Sequence, residues 1–186
     1  MVTEKTPVDS RIRDALLAIT AKGLPLTHDR VAHEAQTSRR TVYRRYPDQD
    51  ALRREVWTLL SPVGVMRGDL DWLLGGGLAE TFATFDGNAA TMTAAMASAE
   101  GRAIRNQQSA ERVAYFRTLY ADSLGDLAEP QRTQALAVLQ LLSSGLAWRE
   151  MRDQWGLEAN GMAAASGWAI EALLKALADG STPAAV

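Results

Sequence analysis

The stretch Thr27 to Tyr46, THDRVAHEAQTSRRTVYRRY, decides how the rest of the chain is read. Thr27 stands where a helix starts and can cap it through its hydroxyl, while Val31, Ala32 and Ala35 give the following turns an apolar inner face. Gln36-Thr37 interrupts this pattern, and Ser38 is a second capping residue from which a new helix can begin at Arg39. Along that second helix Val42 and Tyr46 are i,i+4 partners able to pack inward, which leaves Arg39, Arg40, Tyr43 and Arg44 on the outward arc. Two short helices joined by a tight polar turn, the second rich in arginine, are the layout of a helix-turn-helix whose second helix enters the DNA major groove. The residue types suit that role. Arginine forks to guanine N7 and O6 or to a phosphate, a threonine methyl meets a thymine methyl, and a tyrosine hydroxyl binds a phosphate.

The run Leu26-Thr27, Val31-Ala32, Ser38, Thr41-Val42-Tyr43, Tyr46-Pro47 and Ala51-Leu52 resembles, in order and spacing, the DNA-binding domain of the tetracycline-repressor (TetR) family of transcriptional regulators. The resemblance spans residues Ser10 to Leu60. It implies that Thr27 contacts backbone phosphate, that Arg39, Arg40 and Thr41 approach bases, and that Tyr43 and Arg45 contact phosphates. Arg44 joins this set from its place on the outward arc. Two positions depart from the family pattern: Gln36 stands where the turn glycine is usual, and Gln49 where a lysine is usual. If the turn is kept, Gln36 takes a backbone conformation that glycine adopts more easily, and at Gln49 one phosphate contact loses its charge.

The remainder of the chain fits this reading. It has 186 residues, 47% of them hydrophobic, enough for a small domain joined to a larger helical one with a genuine core. No run approaches the ~20 apolar residues of a membrane span. Met1 to Ser10 lacks the basic-then-apolar order of a signal peptide, and cysteine is absent, so a cytoplasmic protein without disulfides or thiolate metal sites is expected. Net charge is −2, but it is unevenly placed. Residues 1–60 hold 11 basic and 8 acidic side chains, whereas residues 61–186 hold 9 and 14, so the positive surplus lies at the arginine-rich end.

Periodicity predicts helices throughout: an all-α fold, with a three-helix DNA-binding domain and linking helix in residues 1–60 and a helical ligand-binding and dimerisation domain in 61–186. Ile12, Leu16 and Ile19 mark the inner face of a first helix that Lys22-Gly23 ends. Asp48 can cap another through about Leu60, with Leu52, Val56 and Leu59 inward, and Ser61-Pro62-Val63-Gly64 then breaks it. Asp69 to Phe85 is expected to be helical with a break at Gly75-Gly76-Gly77, since a glycine costs roughly 1 kcal/mol relative to alanine in a helix interior. Further helices are expected over about Ala89 to Glu100, Ser109 to Leu124, Pro130 to Trp155 and Glu158 to Asp179. The last has two apolar stripes, one of Ile170, Leu173, Leu174 and Leu177 and one of Ala165, Ala169, Ala172 and Ala176. One stripe can serve the protomer's own core and the other a partner helix, and the family resemblance implies a homodimer built from the last two helices of each protomer.

Between residues 66 and 155, Trp72, Phe82, Phe85, Met92, Met96, Tyr115, Phe116, Tyr120, Trp148 and Met151 are either core or the walls of a pocket for a small, largely apolar effector, with Arg149 placed to orient a carboxylate. Enzymatic signatures are missing. His28 and His33 are five residues apart, off a common helix face, and no nucleophile elbow, phosphate loop or dinucleotide fingerprint occurs, so no catalysis, metal or cofactor is expected. His28 is either a phosphate neighbour at the helix start or an exposed bystander. The expected function is a TetR-like regulator, a repressor released from a palindromic DNA operator by a small molecule. The alternative is a helical interaction protein that keeps the helix-turn-helix shape and binds a protein partner.

Overall fold

A computed structural model describes residues 7–60 and 68–184, and among them the regular structure is entirely helical. No described helix is long and apolar enough to cross a membrane. The described residues up to Leu60, together with Asn88–Ser109, pack as one compact unit; those from Gly68 to Gly87, together with Ala110 onward, pack as another. A single boundary after residue 60 therefore does not describe the packing. The break expected at residues 61–64 lies outside the described residues.

The first unit begins with α1 (Val8–Ala21), which buries Ile12, Ala15, Leu16 and Ile19 on one face. It ends in a double backbone closure, Gly23 N–H donating to the Thr20 carbonyl and Leu24 N–H to that of Ile19, with Gly23 at φ +66°. Helix α2 (His28–Glu34) starts at Thr27, whose hydroxyl accepts from Arg30 N–H at 3.3 Å. Helix α3 (Arg39–Arg45) starts at Ser38, whose hydroxyl accepts from Thr41 N–H at 3.1 Å. Each such cap is worth about 1 kcal/mol, and each stands where the sequence places it. Asp48 likewise accepts from Ala51 N–H at 2.7 Å ahead of α4 (Gln49–Leu60), which buries Leu52, Val56 and Leu60, while Leu59 is half-buried.

Two further helices complete this unit. The single helix expected over residues 89–100 is divided at Ser98: α7 (Ala89–Ala97) ends there and α8 (Ala99–Gln107) begins, capped by the Ser98 hydroxyl accepting from Gly101 N–H at 3.0 Å. The turn requires Gly101, because a Cβ there would run into the backbone carbonyl of Ala95. Helix α7, which buries Thr91, Met92 and Ala95, packs on α1, and α8 packs on α4. Arg53 of α4 forks onto both carboxylate oxygens of Glu100, at 2.6 and 3.3 Å, and this pairing raises the Arg53 pKa. With residues 88–109 included, the unit's sequence carries 13 basic and 9 acidic side chains.

The second unit opens with Asp69, which accepts from Trp72 N–H at 2.8 Å and starts α5 (Leu70–Trp72). A wide π turn over Leu73–Gly77 follows, with Gly76 at φ +153°, so the kink falls in the glycine triplet. Gly77 also gives the Trp72 ring its room, since a Cβ would lie 2.6 Å from it. Helix α6 (Leu78–Gly87) packs along the long terminal helix α13 (Ala159–Ala178), against which α10 (Ala121–Leu124), α11 (Gln131–Leu142) and α12 (Gly145–Trp155) also lie. Helix α9 (Ser109–Leu119) precedes α10. The expected helix over 130–155 is again two, divided at Ser143-Ser144. The Ser144 hydroxyl accepts from Leu146 and Ala147 N–H at 3.2 and 3.3 Å, and the turn is closed by Ser144 N–H on the Leu141 carbonyl.

Helix α13 contributes Met162, Ser166 and Ile170 to the core, one residue per turn, with Ser166 donating to the last-turn carbonyl of Leu142 at 2.7 Å. The leucine stripe read from the sequence is only partly inward: Ile170 is buried, Leu174 and Leu177 are half-buried, and Leu173 is exposed. Ala165 and Ala172 of the small-residue stripe face solvent, and Trp168 between them is 74% exposed.

Candidate nucleic-acid interface

Packing of α2 on α3 settles which residues of the arginine-rich helix face out. Val42 is the one α3 residue fully withdrawn from solvent, anchoring the helix against α2 with about 1.5–3 kcal/mol of burial. Because α3 makes a little under two turns, fixing Val42 leaves Arg39, Arg40, Tyr43 and Arg44 exposed. Thr41 is half-buried, its hydroxyl 2.8 Å from that of Ser38, and Tyr46 is half-buried behind the helix. Thr27 is exposed at the start of α2.

The arginines are not equivalent. Arg39 lies 3.3 Å from Asp29 of α2 and 5.3 Å from the Tyr43 ring centroid. The Tyr43 hydroxyl, then the Asp29 carboxylate, raise its pKa further above the already high guanidinium range. Both partners are more than half exposed, so the ion pair itself adds little to stability and a phosphate can displace it. Arg40 and Arg44 extend into solvent. Arg45 instead turns back onto Asp9 at the start of α1 and keeps only 29% of its side chain exposed. A phosphate contact from Arg45 therefore requires exchange of the Asp9 carboxylate for a phosphate oxygen.

Both departures from the family pattern acquire a physical account. Gln36 sits at φ +49°, the left-handed region, and its N–H closes onto the His33 carbonyl while Thr37 N–H closes onto that of Ala32. This is the same closure that ends α1, where glycine occupies the equivalent position; here a glutamine bears the strain, roughly 1–2 kcal/mol for an L-residue. Arg11 Nη1 donates to the Gln36 carbonyl at 3.1 Å and helps to hold the turn. Gln49 is occupied elsewhere: its side-chain amide donates to the Leu26 carbonyl at 2.8 Å, tying the start of α4 to the segment before α2. The side chain that lacks a lysine's charge thus has a structural partner.

His28 is not an exposed bystander. It is 8% exposed, its ring stacked on that of Tyr43 with centroids 3.8 Å apart and planes 10° apart. Its Nε2 lies 2.7 Å from the Tyr46 carbonyl, an orphan acceptor at the C-terminal end of α3, so Nε2 carries the hydrogen and donates. Sequence periodicity gives no sign of this, because the partners lie on different helices. Asp9 and Asp29, the acids that hold Arg45 and Arg39, are missed for the same reason.

The residues considered as an effector pocket fall in both units. Met92 and Met96 are on α7 in the first unit, Met92 in its core. In the second unit Phe82, Phe85 and Trp148 form a buried aromatic cluster, with Phe85 and Trp148 edge to face at 5.8 Å. Trp148 Nε1 donates to Asp86 at 2.8 Å, and the Arg152 guanidinium lies 4.1 Å from the Trp148 ring. Tyr120 is fully buried and stacked near Phe116; burial pushes its phenol pKa up, and its hydroxyl has no hydrogen-bond partner among the described residues. Trp72, Met151 and Arg149 are half-buried. Tyr115 borders a surface cleft of about 370 Å³ with Gly68, Asp69, Asp71, Thr118 and Asp122, and its hydroxyl donates to the Gly68 carbonyl at 3.1 Å. Within the second unit the buried rings pack on one another, Phe82 and Trp148 each beside Phe85, and Phe116 beside Tyr120. Comparison with family models, with curated proteins and with solved structures gives no match, so the geometry of α2 and α3 carries the functional reading.

Proposed function

We propose that the chain is a TetR-like DNA-binding transcriptional regulator in which α3 enters the major groove. The observation that carries this reading is the outward presentation of Arg39, Arg40, Tyr43 and Arg44 on a Ser38-capped helix anchored through Val42. Thr27 and Tyr43 serve the phosphates; Arg39, Arg40 and Thr41 serve base edges; Arg44 lies on the flank, and Arg45 joins on release from Asp9. Neither catalysis nor a cofactor is part of the proposal.

A homodimer completes it. Leu146, Trp155, Trp168 and Leu173 on α12 and α13 are 50%, 75%, 74% and 36% exposed, a scale of apolar exposure that a second protomer would cover. Two copies of α3 related by a twofold axis would engage half-sites about one helical turn apart, ~34 Å, on a near-palindromic operator. A small effector bound by the second unit would alter that spacing and release the DNA, making the protein a ligand-responsive repressor in the cytoplasm.

The alternative, a partner-binding protein that keeps the shape of α2 and α3, is favoured by Gln49, whose amide is committed to Leu26 rather than free for a phosphate. Salt dependence separates the two. The slope of log Kd against log salt on a DNA duplex should shrink by about one unit for each phosphate-contacting cation removed. Arg44→Ala is expected to shrink it, and an unchanged slope with unchanged affinity would count against DNA binding by α3.

A further inference from the structure

We propose that His28 is a positioning residue for DNA binding: it fixes the Tyr43 ring so that the phenol is presented ready-aligned to a phosphate. The inference rests on the DNA-binding reading and adds to it a residue outside the arginine-rich helix. Tyr43 is 41% exposed on a short helix and, without a neighbour, would sample several rotamers. His28 removes that freedom through a near-parallel stack at 3.8 Å. The stack is itself held, because Nε2–H donates to the Tyr46 carbonyl at the end of the same helix that carries Tyr43. One side chain on α2 thus grips α3 at two points, a ring and a backbone carbonyl. Histidine combines a small flat ring with a ring N–H, which alanine, glutamine and phenylalanine each supply only in part or not at all.

The arrangement also groups the neighbours of Tyr43. Arg39 lies 5.3 Å from the Tyr43 ring centroid and 3.3 Å from Asp29, the residue after His28. Ordering of an interface side chain is a cost of association when it happens on binding. Here it is met when the protein folds, so loss of the stack should appear as weakened DNA affinity that runs through Tyr43.

A double-mutant cycle on the full-length protein, measured with the genomic fragment it enriches, tests the idea. His28→Ala is expected to weaken binding about tenfold in the wild-type background and less than twofold in a Tyr43→Ala background, with His28→Phe, which keeps the stack, within about threefold of wild type. Equal losses in both backgrounds, or a His28→Phe loss as large as that of His28→Ala, would mean that His28 only supports the fold and would overturn the role. A second readout needs no DNA. The ring resonances of Tyr43, assigned by Tyr43→Phe, should carry a ring-current shift that His28→Ala abolishes, and an unmoved signal would overturn the stack. Failure of the wild-type protein to bind any fragment would instead overturn the functional reading, and the positioning role with it, even if the ring shift is found.

Discussion

Helices α3 and α13 both leave much of their surface in solvent, but they expose opposite chemistry. Helix α3 withdraws Val42 and shows Arg39, Arg40, Tyr43 and Arg44; α13 withdraws Met162, Ser166 and Ile170 and shows Ala165, Trp168 and Ala172. An exposed arginine is well solvated and needs no partner for stability, and under the proposed function its grouping on a short capped helix would serve recognition. An exposed tryptophan between alanines is poorly solvated, and in the proposed homodimer the second protomer would cover it. On the proposed reading the two faces would have two tasks. A regulator that reads a twofold operator needs both.

Each face has a variant that should break its own task and spare the other. Arg40→Ala with Arg44→Ala should have the largest effect: about 3–4 kcal/mol of DNA affinity, on the order of 100-fold or more, since each loses a charge-assisted contact. Thermal stability should stay within about 0.5 kcal/mol of wild type, as for surface changes generally. Fluorescence anisotropy and a thermal melt measure both. A comparable loss of stability would show that the arginines hold the fold instead. Trp168→Glu should come next, weakening self-association by about 2 kcal/mol, or roughly 30-fold, read by sedimentation across a concentration series. Unchanged association would remove α13 from the dimer.

Smaller effects should come from local defects, of which each unit offers an example. Beside α3, Gln36 occupies a left-handed position that glycine fills at the equivalent end of α1. Gln36→Gly should therefore stabilise the first unit by about 1 kcal/mol, the relief of backbone strain exceeding the entropy that glycine adds to the unfolded chain. In the core beneath α13, Tyr120 buries a hydroxyl without a hydrogen-bond partner among the described residues. Tyr120→Phe should stabilise the second unit by roughly 0.5 kcal/mol by removing that orphan group. The pH dependence has a definite sign. Burial raises the folded-state pKa of Tyr120, so stability does not depend on its ionisation below the unfolded tyrosine value of about 10 and falls as pH climbs from there toward the higher folded-state value. The phenylalanine variant should lose that alkaline component, and urea melts at two pH values would show whether it does.

Much of this contrast was legible in the sequence because it is local. Thr27, Ser38 and Asp48 each act as caps where their side chains and spacing place them, and the kink falls in the glycine triplet. Ser98 and Ser144 are caps of the same kind, yet they lie inside runs whose apolar content continues on both sides, so periodicity carries one helix across them. Non-local contacts were beyond reach. The burial of His28, the diversion of Arg45 to Asp9 and the packing of α7 on α1 each join residues on separate helices. Aromatic residues of the second unit were ambiguous for a different reason: a ring that lines a pocket and a ring that fills a core have the same sequence signature, and only their mutual packing tells them apart.

The central claim is that α3 reads a twofold DNA site. Incubation of the purified full-length protein with fragmented genomic DNA, recovery of bound fragments and sequencing test it most directly, with Arg40→Ala/Arg44→Ala as the control. Enrichment of one inverted repeat with half-sites about one helical turn apart by the wild type, and its loss in the variant, is the predicted result. Recovery without sequence preference, or the same enrichment from the variant, would contradict it.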